Sequence, residues 1–144
     1  MGILVNKRLI LFIFCSLSLF ANANDLLVVS SKMSPVELSR QQIKQVYLGA
    51  RLSVDGVNIQ PLALPVGVRW RSVFNSKVIG LSEARIQSYW AQMRFTGRRT
   101  EPTEMDNTEK LIEQLKQQPG ALGYLPSHLV DANLFHIIYR VPLD

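Results

Sequence analysis

The stretch Pro119-Gly120-Ala121-Leu122-Gly123-Tyr124-Leu125-Pro126 decides the fold. Proline lacks the N–H that a helix interior needs, and glycine accepts the left-handed conformation that ends helices. The helical run before it, which carries Leu111, Ile112 and Leu115, must therefore stop at Pro119-Gly120. The apolar segment Ala121 to Leu125 then reads as a short strand, with a further extended run at Leu134 to Val141.

Working back from there, Asp106 with Glu109 reads as the capping arrangement of that helix. The loop before it, Arg94 to Met105, is polar and rich in turn residues and carries Arg94, Arg98 and Arg99. Ser82 caps a helix with Ile86, Tyr89, Trp90 and Met93 at i, i+3, i+4 and i+7, a stripe that faces a core. Trp70, Val73, Phe74 and Val78 recur at helical spacing between Val68 and Ile79, and Gly80 ends that run. Asp55-Gly56 is a turn between two extended runs, the second being Val57 to Leu64. Ser39 caps a short amphipathic helix with Ile43, Val46 and Tyr47, stopped by Gly49. Leu26 to Val29 is a continuous apolar run, the pattern of a buried strand. No repeat and no linker divides the chain. The order predicts an α/β fold, a single small mixed sheet flanked by about four helices.

The 144 residues suit one domain, and 47% are hydrophobic. Part of that fraction belongs to the opening segment, where Lys7-Arg8 precedes an apolar run from Leu9 to Phe20 and then Ala21-Asn22-Ala23. This is the layout of a secretory signal peptide, so residues 1–23 read as the signal and 24–144 as the domain. Cleavage would remove Cys15, the one cysteine, and would lower the basic count from 16 to 14 against 11 acids, a net charge of +3. An exported chain without a disulfide fits the bacterial periplasm, with no membrane insertion after cleavage. The mild charge and the absence of a dense basic face argue against nucleic acid.

Reactive groups are few. His128 and His136 have no carboxylate at ligand spacing, and no zinc motif, nucleophile elbow or phosphate loop is present, so neither enzyme, cofactor nor metal is expected. Binding is supported by placement. The loop Leu62 to Ser72 passes from strand to helix, where ligands of α/β sheets commonly lie. Gly67 permits close backbone approach there, and Arg69 and Arg71 flank Trp70. Two readings stay open: the arginines are anion donors, or they are solvated and lie over Trp70.

The Val46-Tyr47-Leu48-Gly49 and Pro119-to-Tyr124 motifs, with the intervening length between them, resemble the phosphate ABC transporter-type periplasmic substrate-binding family over about Arg40 to Ser127. The resemblance implies one lobe of a type II periplasmic binding protein. It also implies that Gly123 lets a neighbouring backbone approach. Aligning Phe74 places Leu64, Val68, Arg69 and Trp70 where the family holds phosphate with an arginine and a Ser-Gly-Thr turn. Without those hydroxyl donors, high affinity for phosphate is not expected. The expected function is a non-enzymatic module for phosphate or another small anion in connection with an ABC transporter, with Gly67, Arg69, Trp70 and Arg71 around the ligand. The alternative is an interaction or sensory module that keeps the lobe as a scaffold and docks an envelope protein or a second copy. Its face would combine the Leu64–Arg71 loop with Phe95, Arg98, Arg99 and His128.

Overall fold

The computed structural model describes residues 25–143; the segment read as a signal peptide, with Cys15, lies outside the described residues. Strand β1 (Leu26–Ser31) is buried along its whole length, as a continuous apolar run demands when both faces of a sheet are covered. Helix α1 (Arg40–Tyr47) starts at Ser39, whose hydroxyl accepts from Gln42 N while the Gln42 side chain accepts from Ser39 N, a reciprocal cap. It ends before Gly49, which has a φ of 90°.

The Asp55-Gly56 turn is present, but the extended run after it divides. Strands β2 (Ser53–Val54) and β3 (Val57–Asn58) form a separate two-stranded hairpin, and β4 (Gln60–Ala63) enters the main sheet. The division comes from hydrogen bonding: Ile59 N donates to Leu52 O, whereas Gln60 N donates to Gly120 O. The predicted helix between Val68 and Ile79 is also composite. Helix α2 (Arg69–Phe74) continues into a π-helical segment, Asn75–Ile79, closed by a Gly80 N to Asn75 O bond of 2.7 Å.

Helix α3 (Glu83–Thr96) is capped by Ser82 and buries Ile86 and Trp90. It runs three residues into the segment read as a loop, so Arg94, Phe95 and Thr96 are helical. That segment also contains a strand absent from the reading, β5 (Thr103–Glu104). Helix α4 (Thr108–Gln117) is capped by Asn107, not Asp106: the Asn107 side chain accepts from Lys110 N at 2.8 Å, and Glu109 falls in the first turn. Strands β6 (Ala121–Pro126) and β7 (Phe135–Val141) follow, with a 3-10 turn, Ser127–Leu129, after β6.

The main sheet has the order β5-β4-β6-β1-β7. Pairs β4–β5 and β4–β6 are parallel, and β1 pairs antiparallel with β6 and β7, so the sheet is mixed. Helices cover both faces. Successive side chains of a strand point to opposite faces, and on β6 position 123 faces Leu111 and Leu115 of α4 while Tyr124 stacks on Phe74 of α2 at 4.1 Å between ring centroids. The close approach at Gly123 is thus made by leucine side chains, with a Cβ there meeting Leu115 Cδ1 at 3.0 Å. The close backbone approach belongs to Gly120, where a Cβ would lie 2.1 Å from Asn58 O.

Candidate ligand-binding cleft

The carboxyl ends of the parallel strands β4 and β5 open onto a cleft of about 220 Å³. Two tyrosines fix its floor. Tyr47, buried on α1, donates its hydroxyl to Leu62 O at 2.8 Å and also approaches Leu122 O at 3.2 Å. Tyr124, on β6, accepts from Leu64 N at 3.0 Å. The end of β4 is therefore held from two sides, and Leu64 O is turned to accept from Arg71 Nη1 at 2.8 Å. Burial raises the pKa of both phenols, with the mutual influence of the rings adding to that of Tyr47, so both are neutral hydrogen-bonding groups.

Arg71 stands at the mouth with its side chain 11% exposed. Its Nε and Nη2 reach the two oxygens of Glu83 at 3.1 and 2.8 Å, and Nη1 also meets Glu104 Oε2 at 2.9 Å. Glu83 accepts in addition from Asn75 Nδ2 at 2.7 Å and Gln87 Nε2 at 2.8 Å. Burial, the largest influence, acts to lower the pKa of Arg71, but the bonds to Glu83 and the charges of Glu83 and Glu104 raise it overall. Burial likewise acts to raise that of Glu83, and the bonds from Arg71 and Gln87 outweigh it and lower it. A second pair, Arg94 Nε to Glu101 Oε1 at 2.6 Å, closes the rim where β5 begins. The 101–104 segment is thereby tied to α3 through Arg94 and to α2 through Arg71.

Of the residues proposed from sequence, Arg71 lines this cleft and the others do not. Arg69 is exposed and stacks over the Trp70 ring at 5.0 Å; it makes no hydrogen bond or ion pair among those described. Gly67, with a φ of 92°, forms the turn after β4 in open surroundings. His128 lies exposed in the 3-10 turn that follows β6. Since β4 and β6 are parallel, that turn and the Leu64–Arg71 loop share one end of the sheet. Arg99 donates to Leu48 O at 2.9 Å and packs on Gly49, beside the start of β4, which sets it apart from the Leu64–Arg71 loop, while Phe95 is 95% exposed at the end of α3 and Arg98 N donates to Thr96 Oγ1. His136, which has no carboxylate near it in sequence, pairs through its Nε2 with Glu37, 99 residues away.

Sequence reasoning missed Glu83, Glu104, Asn75 and Tyr124 as cleft residues. Among the described residues no group of three or more His, Cys, Asp or Glu side chains could hold a metal ion. No helix of the described residues is long and apolar enough to cross a membrane.

No protein-family model matches the sequence, and no curated protein matches it. Solved structures do match the fold. An ABC-type phosphate transport receptor from Vibrio cholerae superposes with a TM-score of 0.59 at 16% identity, covering 81% of this chain and 46% of that one. A putative phosphate ABC transporter substrate-binding protein with bound phosphate, from Clostridium perfringens, gives 0.58 at 18% identity, with 78% and 44% covered. The chain thus spans under half the length of these neighbours and has the architecture of one lobe of a periplasmic binding protein.

Proposed function

We propose that the chain is a non-enzymatic, periplasmic binding-protein-like module that takes a small anion at the mouth of the cleft, in connection with an ABC transporter. The observation that carries this reading is Arg71, a mostly buried guanidinium set at the carboxyl ends of parallel strands in a fold shared with phosphate receptors. Gly67, Arg69 and Trp70 lie in the chain between Val66 and Arg71, which line the cleft, and Arg69 adds a positive charge over the Trp70 ring. The bound phosphate of the Clostridium perfringens protein is the precedent for an anion.

Affinity is expected to be weak. The charges grouped around Arg71, two carboxylates against one guanidinium, already sum to a negative total. An incoming anion must displace part of that network. Calorimetric titration of the exported protein with phosphate, sulfate and acetate should give dissociation constants of roughly micromolar to millimolar size. Arg71→Ala should abolish the binding and Arg69→Ala should weaken it. Tight binding that survives both substitutions together would place the site elsewhere.

A further inference from the structure

Resting on that reading of the cleft, we infer that its ligand is a monocarboxylate with a compact apolar body, and that Glu104 is a resident stand-in for its carboxylate. The Glu104 side chain is 52% exposed, lies on the two-residue edge strand, and places one carboxylate oxygen on Arg71 Nη1 at 2.9 Å. A half-exposed ion pair of this kind is held weakly. Glu83, by contrast, is bound through both oxygens by Arg71, Asn75 and Gln87 and stays in place when a ligand enters.

The donors left for a ligand set its class. A guanidinium offers five N–H groups, and the bonds of Arg71 to Glu83, Glu104 and Leu64 use all but one, on Nη2. Departure of Glu104 frees a second, on Nη1. The Tyr124 hydroxyl, which accepts from Leu64 N, keeps its own proton as a third. Asn75 and Gln87 each spend one amide N–H on Glu83, and Arg94 spends its Nε on Glu101. The two N–H groups that Arg71 would then have free match the two oxygens of a carboxylate, the group that Glu104 already places there. A phosphate dianion would meet the Glu83 charge twice over. Behind the mouth, the cleft is lined by Phe74, Ile79 and Ile86, which offer a ligand no hydrogen bonds, and by the ring of Trp90, and these suit an apolar body.

The test compares 3-phenylpropionate, its neutral analogue 3-phenylpropanol and inorganic phosphate by titration calorimetry on the exported protein and on Glu104→Gln. The expected order of affinity is phenylpropionate first, with phenylpropanol and phosphate both weaker. Glu104→Gln should raise phenylpropionate affinity about three- to tenfold, because it removes a competing charge, and should leave phenylpropanol unchanged. The wild-type order tests the ligand class without any variant. Phosphate binding more tightly than phenylpropionate would overturn the inference and leave the anion-binding reading standing. A Glu104→Gln affinity equal to wild type would overturn the role of Glu104. Failure of every anion to bind either protein would remove the anion-binding reading itself, and this inference with it.

Discussion

Replacing Gly120 by alanine tests the architecture that the Pro-Gly-Ala-Leu-Gly-Tyr stretch sets up. Gly120 has a φ of 79°, and its carbonyl accepts from Gln60 N at 2.8 Å, the contact that brings β4 alongside β6. Two costs add. A residue with a Cβ loses about 1–2 kcal/mol in the left-handed region. The new methyl would also lie 2.1 Å from Asn58 O and 3.0 Å from Val57 Cγ1, so the β2–β3 hairpin must move away. Overpacking of that kind costs about 1–3 kcal/mol, for a sum of about 2–5 kcal/mol. Gly67→Ala is the internal reference, because its φ of 92° carries the same backbone cost with no atom within 4 Å of the added methyl. Urea denaturation of both variants, read as a midpoint shift at constant slope, should separate them by about 2 kcal/mol. Equal losses, within about 0.5 kcal/mol, would show that the hairpin does not press on Gly120 and that this reasoning is unsound.

Gly123→Ala should cost about 1–2 kcal/mol, less than Gly120→Ala, since its new methyl meets only the ends of Leu115 and Leu111 side chains, which can shift; the same denaturation series measures it. The Glu83 network gives an acid limb to stability: the folded-state pKa of Glu83 is depressed, so its contribution is full above the ordinary glutamate value of 4.5 and is lost as pH falls through the lower folded-state value. Denaturation midpoints followed downward in pH should drop less for Glu83→Gln than for wild type, and parallel curves would contradict the assignment. Export should leave Asn24 as the first residue, which mass spectrometry of the protein recovered from the periplasm checks; a chain beginning at Met1, or lipid on Cys15, would refute the signal-peptide reading.

The parts of the fold legible in the sequence are those fixed by local chemistry. Ser39 and Ser82 cap the helices they were assigned to, and the apolar run at Leu26 marks the buried central strand. Elements fixed only by distant partners were not legible. Strand β5 is two exposed residues, Thr103 and Glu104, without any pattern of its own, and exists because Leu62 and Ala63 pair with it. The division of the Val57–Leu64 run depends on Gly120, sixty residues beyond Gln60, and position alone gives no sign of it. The candidate site behaves the same way. Arg71 was visible as a cation in a strand-to-helix loop, but its carboxylate partners lie 12 and 33 residues further on, in a helix start and a polar loop. Without them a sequence shows a free arginine where the molecule has a neutralised one.

That neutralisation gives the two family-like motifs a common purpose. Tyr47 of the Val-Tyr-Leu-Gly motif and Tyr124 of the Pro-Gly-Ala-Leu-Gly-Tyr motif come from different elements, yet both hydrogen-bond at the end of β4, to Leu62 within it and to Leu64 just beyond it. Phe74 lies between them, stacked on Tyr124 and edge-on to Tyr47 at 4.5 Å, and it stands one helical turn beyond Arg71. The aromatic cluster therefore sets the position of α2 against the end of β4, and with it the distance from the Arg71 guanidinium to Leu64 O. An arginine placed by three buried rings would carry an uncompensated charge at the sheet end in the absence of ligand. Glu83 and Glu104 supply that compensation, one firmly bound and one half exposed. On the proposed anion-binding reading, the two carboxylates differ in how tightly they are held, so the cleft would stay charge-compensated when empty and exchange Glu104 for an anion from outside. That exchange would set a ceiling on affinity and make Glu104, rather than Arg71, the residue through which the ceiling is raised.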